Sequence, residues 1–333
     1  MSVHDETSSY QNLRPDDIIN AVEHIGYRCD GRILALNSYE NRVYQIGLEE
    51  AEPVVVKFYR PRRWTDESIL EEHRFTLALA DYEIPVVAPC ADADGTTLFR
   101  HGAYRFAVYP RRGGYSPELD NPDHLMQLGR VIGRLHNVGA TETFAHRNTM
   151  NIGHFGIASY EYLLSSGFIP MELEIAYRTL AEDLIKRIRN CYQRAGDVRM
   201  LRIHGDFHHG NILLRNDIAF VVDFDDSCMG PAIQDLWMLL SGDRQYMTTG
   251  LYDVLEGYSE FREFDACELN LVEALRTLRI MHYAAWLARR WDDPAFPRAF
   301  PFFNTSRYWE EHILALREQA ALMDEPPLEW SID

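Results

Sequence analysis

Two carboxylates and an amide lie close together in His204-Gly205-Asp206-Phe207-His208-His209-Gly210-Asn211 and the following run Val221-Val222-Asp223-Phe224-Asp225-Asp226. Asp206 and Asn211 are five residues apart, close enough for one loop to supply both, and Asp223 comes twelve residues after Asn211 at the end of an apolar run. Phosphoryl transfer from a nucleotide needs such a set. One carboxylate orients an acceptor hydroxyl and receives its proton; a second, with an amide oxygen, holds magnesium, a hard cation that prefers oxygen ligands. Asp206 suits the first task, and Asn211 and Asp223 suit the second, so Asp206 and Asp223 are the candidate catalytic pair. Singly, His-Gly-Asp reads equally well as a turn and the acidic run as a solvated strand end. The joint spacing carries the reading. A zinc site is not expected from His204, His208 and His209, because adjacent side chains do not readily point at one tetrahedral ion. His204 is expected to brace the loop through its ring.

This chemistry demands a lysine for the phosphates and an acid on a following helix to orient it. Of the 33 basic residues only Lys57 and Lys186 are lysine. Lys57 sits in Val54-Val55-Val56-Lys57-Phe58-Tyr59, an otherwise apolar strand. A buried ammonium needs a partner. The next helix offers Glu71 and Glu72. At 100° per residue, Glu72 shares a face with Ile69, Phe75 and Leu79, whereas Glu71 lies nearer Ser68, Arg74 and Ala78. Glu72 is the preferred partner, with Glu71 the alternative. Neither GxxxxGK[ST] nor GxGxxG occurs. In the turn Asn37-Ser38-Tyr39-Glu40-Asn41-Arg42, phosphate contact falls to backbone N–H groups, the Ser38 hydroxyl or the Arg42 charge.

Around these residues, helical signals cover Arg14–Gly26 and Asp66–Ala80. Strand signals cover Arg32–Leu36, Arg42–Ile46, Pro53–Tyr59 and Tyr104–Tyr109. After Pro110–Gly114 the chain becomes mostly helical. Helices are expected after Asn121-Pro122 and over Met171–Arg194, Ala232–Ser241, Glu268–Trp291 and Tyr308–Met323. Short strands at Met200–Ile203 and Ile218–Phe224 flank the central segment. The expected fold class is α+β with two lobes: residues 1–110 as a small β-rich nucleotide-binding lobe, and residues 111–333 as a large helical catalytic and substrate lobe. A cleft between them is the natural ligand site.

Composition excludes other classes. The 333 residues are 46% hydrophobic and 25% charged, ordinary for a globular chain. A net charge of −18 argues against a nucleic-acid partner. No apolar run approaches the roughly 20 residues of a membrane span, and the polar start lacks an export signal. The five cysteines are scattered, never in CxxC, and fit a reducing cytoplasm.

The loop HGDFHHGN resembles the HGDxxxxN catalytic loop of the aminoglycoside phosphotransferase and choline kinase-like superfamily, whose fold is that of protein kinases. Within it the chain is similar to the bacterial stress response kinase A group over NSYENRVYQ, VVVKFYRPRRWT, ILEEH, VVDFDD, GPAIQDLWMLL, AWLARRWDDPAFP and EPPL. The resemblance implies an ATP-dependent, magnesium-requiring serine/threonine protein kinase, cytoplasmic, monomeric and linked to stress survival. It implies Asp206 as the catalytic aspartate, Asn211 and Asp223 on magnesium, Ser38 in the loop over ATP, and Lys57 on the phosphates. Asp235 becomes a structural acid behind the catalytic loop, and Ala107–Arg112 the hinge that meets adenine. Asp225 stands where many protein kinases have the glycine of DFG, which leaves the mobility of that segment open.

Two alternatives stay open. One is a kinase of the same fold acting on a small alcohol: an amino alcohol, an aminoglycoside or homoserine. The aromatic and acidic residues between Tyr283 and Phe303 suit a cation cage, though Arg289, Arg290 and Arg298 lie among them. The other is a nucleotide-binding pseudokinase, disfavoured because Lys57, Asp206, Asn211 and Asp223 are all present.

Overall fold

A computed structural model describes Tyr10 and residues 13–330. In chain order the elements begin α1 (Pro15–His24), β1 (Cys29–Leu36), β2 (Arg42–Leu48), β3 (Ala51–Phe58), α2 (Asp66–Asp81), β4 (Phe99–His101) and β5 (Tyr104–Pro110). Then come α3 (Pro122–Gly139), α4 (Ala158–Ser166), α5 (Met171–Ala195), β6 (Leu201–Ile203), β7 (Ile212–Arg215), β8 (Ile218–Val221) and β9 (Cys228–Gly230). The chain closes with α6 (Ile233–Trp237), α7 (Arg244–Ser259), α8 (Val272–Arg289), α9 (Ala295–Ala299) and α10 (Ser306–Leu322). The class is α+β, as expected. Two compact units form. The first takes the described residues through Pro117 with Phe144–Arg147 and His209–Ser227; the second takes Glu118–Thr143, Asn148–His208 and the described residues from Cys228 onward. Asn211 and Asp223, placed with the helical stretch in the sequence reading, therefore belong to the same unit as Lys57.

In the first unit an antiparallel sheet runs β1-β2-β3-β5-β4. The period-two alternation of a strand sorts β3. Val54, Val56 and Phe58 enter a core with Ile18 and Val22 of α1. Lys57, in register with Ala107 of β5, takes the other face, where Tyr59, Ala107 and Ile69 of α2 pack together. Thr65 starts α2 by accepting from the Ser68 amide at 3.2 Å.

The β7–β8 hairpin also belongs to this unit. Its two turn residues, Asn216 and Asp217, both have positive φ (49° and 56°), the twist a two-residue hairpin turn requires. The register pairs Ile212 with Val221, and the Val222 amide donates to the Asn211 carbonyl at 2.9 Å. Asn211 and Asp223 thus come together at the open end of the hairpin. The expected strand to Phe224 stops at Val221. Asp223 adopts φ +61°, and Phe224–Asp226 close a single 3₁₀ turn.

In the second unit, β6 pairs with β9. Close backbone approach sets its helices: a Cβ on Gly129 of α3 would lie 2.0 Å from the Val254 carbonyl oxygen, and one on Gly257 of α7 would lie 1.9 Å from that of Met126. The C-terminus of α3 meets β6 through Arg202, whose guanidinium donates to the Val138 and Gly139 carbonyls, as a cation suits a helix C-terminus. The expected helix Ala232–Ser241 shortens to α6, and Glu268–Trp291 opens with a 3₁₀ segment, Ala266–Leu271, before α8.

Candidate active site

Lys57 is buried and stands among three carboxylates: Asp223 at 3.0 Å, Asp225 at 3.3 Å and Glu72 at 3.9 Å. Burial pulls the ammonium's pKa down, but these acids outweigh it and hold Lys57 well above the ordinary lysine range. Burial pushes Glu72 up to about 7; Lys57 opposes this and the charge of Asp225 adds to it. Glu71 is directed elsewhere. Its carboxylate accepts the backbone amides of Ala145 (2.7 Å), His146 (2.8 Å) and Arg147 (3.0 Å), fixing that segment to α2.

Asp225 is a hub of this unit. One carboxylate oxygen faces Lys57. The other accepts from Asn41 Nδ2 at 3.0 Å and pairs with Arg63. Burial pushes its carboxyl up, yet Arg63, Lys57 and Arg147 together pull it well below the usual carboxylate range. Asn41 also accepts the Arg60 amide at 3.0 Å, so it ties the β1–β2 turn to the end of β3 and to Asp225. Arg147 donates to the carbonyls of Ser68, Asp225 and Ser227 and lies over the Trp64 ring. Ser38 stands half-buried in the β1–β2 turn. Arg42, also considered for phosphates, donates to the Tyr39 and Asn41 carbonyls and packs 4.6 Å over Tyr10.

In the second unit, the strand β6 delivers the loop that begins at His204. Gly205 takes φ +84°, which suits glycine. Asp235, fully buried on α6, accepts the His204 and Gly205 amides, each at 2.8 Å. Gln234 donates back to the Gly205 carbonyl at 3.1 Å. His136 of α3 meets Asp235 at 3.2 Å and the Tyr258 hydroxyl at 3.1 Å; burial lowers its pKa, so the imidazole stays neutral. The His204 ring accepts the Asp206 amide at 3.2 Å. Both oxygens of the largely buried Asp206 are engaged: Oδ1 by Arg279 of α8 at 2.7 Å and Oδ2 by His208 at 3.3 Å. Burial raises its carboxyl, but His208 and Arg279 pull it below the usual range, so it stays ionised.

Sequence reasoning did not single out Asn41, Arg63, Arg147 or Arg279. Asn41 lay in the quoted NSYENRVYQ, and Arg63 in VVVKFYRPRRWT, without a role. Their partners are 184 and 162 residues away, beyond any local pattern. Aromatic residues of the candidate cation cage pack on one another: Trp286 packs on Phe296 and Phe300, Arg290 lies 5.3 Å over Trp286, and Trp291 packs on Phe303. A cavity of about 190 Å³ near Tyr27, Cys90 and Phe99 is lined by none of the candidate site residues.

The donor set suits a hard divalent cation. The Asn211 amide and the Asp223 carboxylate are hard oxygen donors at one hairpin end, and Asp223 is 53% exposed, leaving room for waters. Among the described residues no group of three or more His, Cys, Asp or Glu side chains is arranged to hold a metal, and no helix is long and apolar enough to cross a membrane.

A two-unit α+β chain with this lysine, these acids and this loop carries the parts that a phosphotransferase needs. The phosphotransferase enzyme family APH matches residues 32–269, and the chain belongs to it. It is 44% identical to stress response kinase A of Escherichia coli K12 over 96% of this chain and 97% of that one. It is 41% identical to the serine/threonine protein kinase RdoA of Salmonella typhimurium LT2, over 98% of each. Among solved structures, an amicoumacin kinase in complex with AMP-PNP, Ca2+ and amicoumacin shares the fold (TM-score 0.73, 18% identity, 98% of this chain and 97% of that one). So does a microcompartment-associated aminopropanol kinase (TM-score 0.70, 18% identity, 93% and 97%).

Proposed function

We propose that this phosphotransferase is an ATP-dependent serine/threonine protein kinase of a stress response, working as a cytoplasmic monomer. The observation that carries the ATP reading is the lone buried lysine of the first unit held between Asp223, Asp225 and Glu72. Such an ammonium is poised to exchange a carboxylate for a phosphate oxygen. The name of the Salmonella relative supports the protein substrate and that of the Escherichia coli relative supports the stress response, both with near full-length similarity.

In this reading Lys57, steadied by Glu72, binds the phosphates, and Ser38 and the turn amides cover them. Residues up to 110 serve as the nucleotide lobe, with Ala107–Arg112 meeting adenine. Asn211 and Asp223 would hold magnesium, which when bound supplies charge neutralisation at the phosphates. Asp206 orients the acceptor hydroxyl and takes its proton. The acceptor oxygen forms a bond to the γ-phosphorus, the bond to the β–γ bridging oxygen breaks, and ADP leaves. His204, Asp235 and Gln234 keep the loop backbone from drifting.

A small-alcohol substrate is the second reading, favoured by the substrates named for the two fold neighbours. Labelled ATP offered with casein or myelin basic protein beside a panel of small alcohols separates them. Label on protein serine or threonine is expected; label on a small alcohol alone overturns the protein-substrate reading. EDTA is expected to abolish transfer and magnesium to restore it; indifference to chelation contradicts the role of Asn211 and Asp223.

A further inference from the structure

The base that the proposed reaction assigns to the acceptor hydroxyl is already paired with a cation of the chain itself. Arg279 Nη1 lies 2.7 Å from Asp206 Oδ1, and its side chain is 45% exposed. On α8, positions 279, 283 and 286 fall within about 60° of one another at 100° per residue. Arg279, Tyr283 and Trp286 therefore form one stripe leading away from Asp206, and Arg290 follows just past the last residue of the helix. Tyr283 stacks on Trp286 at 5.6 Å, and Arg290 covers that indole. The Asp206 carboxylate and the Trp286 indole, two kinds of group that attract a cation, each carry a guanidinium group.

We infer that Arg279 is a specificity-determining residue that turns cationic acceptors away from Asp206 and selects a hydroxyl flanked by acidic groups. This rests on the reading that Asp206 receives the hydroxyl proton. Arginine pairs with carboxylates through a planar fork, and an incoming carboxylate can take over that fork. The exchange frees Asp206 Oδ1 for the hydroxyl of a neighbouring serine or threonine. An ammonium near the hydroxyl faces like charge instead, and like-charge juxtaposition disfavours the wrong partner. The acceptor class is accordingly a polypeptide segment with acidic residues next to the phosphorylated serine or threonine.

The test compares acceptors within one protein, so a general loss of activity cancels. A serine peptide flanked by glutamates and the same peptide flanked by lysines are phosphorylated by wild type, Arg279→Glu and Arg279→Gln, and the ratio of kcat/KM values is read. Wild type is expected to favour the acidic peptide by about tenfold or more. Arg279→Glu is expected to lower that ratio by at least about tenfold, with Arg279→Gln between. A wild-type preference for the lysine-flanked peptide, or a ratio unmoved in both variants, overturns the inference. If wild type labels small alcohols but no peptide, the protein-substrate reading falls on its own. Arg279 is then judged on the glycolate-to-ethanolamine ratio, with the same expected shifts and the same contrary results.

Discussion

The surroundings of Lys57 and those of the Asp206 loop solve the same problem, holding charge in a dry place, by opposite means. Around Lys57 the partners are themselves charged: Asp223, Asp225, Glu72, Arg63 and Arg147. Each carboxylate has a competitor for the same cation, so no single pair is locked. Behind Asp206 the brace is mostly neutral. Asp235 is saturated by two backbone amides and an uncharged imidazole. In the proposed reaction phosphate replaces a carboxylate at Lys57, and an exchangeable ion cluster suits that. A saturated hydrogen-bond brace suits a loop that must not move. On that proposal one region is to be rearranged and the other is to stay.

That contrast is broken most severely at Asp235. Asp235→Ala strands two buried amides and is expected to cost on the order of 4 kcal/mol of stability, read by urea denaturation. A loss below about 1 kcal/mol contradicts the brace. In the ion cluster, Asp225→Ala removes the partner of Asn41 and Arg63 and leaves buried cations short of charge. The expected loss is about 3 kcal/mol, with KM for ATP rising more than kcat falls, because the β1–β2 turn loses its anchor. An unchanged KM for ATP removes Asp225 from any part in nucleotide binding.

The smallest effect sharpens the comparison through pH. Glu72 is raised in the folded chain to about 7 from the ordinary 4.5. Its contribution to stability is fully present below pH 4.5 and is lost as pH rises through about 7. Asp225, held low, contributes stability above the ordinary carboxylate range that is lost only in acid. Glu72→Gln is therefore expected to flatten stability between about pH 5 and pH 8, a change of roughly 2 kcal/mol measured by denaturation at several pH values. The same slope in wild type and variant contradicts the burial of an ionising Glu72.

The parts of this arrangement written in local pattern were legible in the sequence. An apolar strand interrupted by Lys57, a helical face carrying Glu72, and the spacing of Asp206, Asn211 and Asp223 all depend on neighbours in the chain. Asn41 and Arg63 were not legible, since each is defined by Asp225 far along the chain. Helix α7 escaped notice for a related reason. Gly250 and Gly257 weaken it as a helix, and Gly257 is required by the backbone of α3 pressed against it. Strand β7 was hidden because its partner β8 and the Asn216–Asp217 turn, not its own four residues, define it.

The central claim, that Asp206 receives the acceptor proton during transfer from ATP, is tested most directly by Asp206→Asn. Single-turnover transfer of labelled γ-phosphate is measured beside equilibrium nucleotide binding on the same preparation. The expected result is transfer slowed by about a hundredfold or more, with the dissociation constant for ATP changed by no more than about threefold. Transfer at the wild-type rate, or a loss of rate fully matched by a loss of nucleotide binding, contradicts that role.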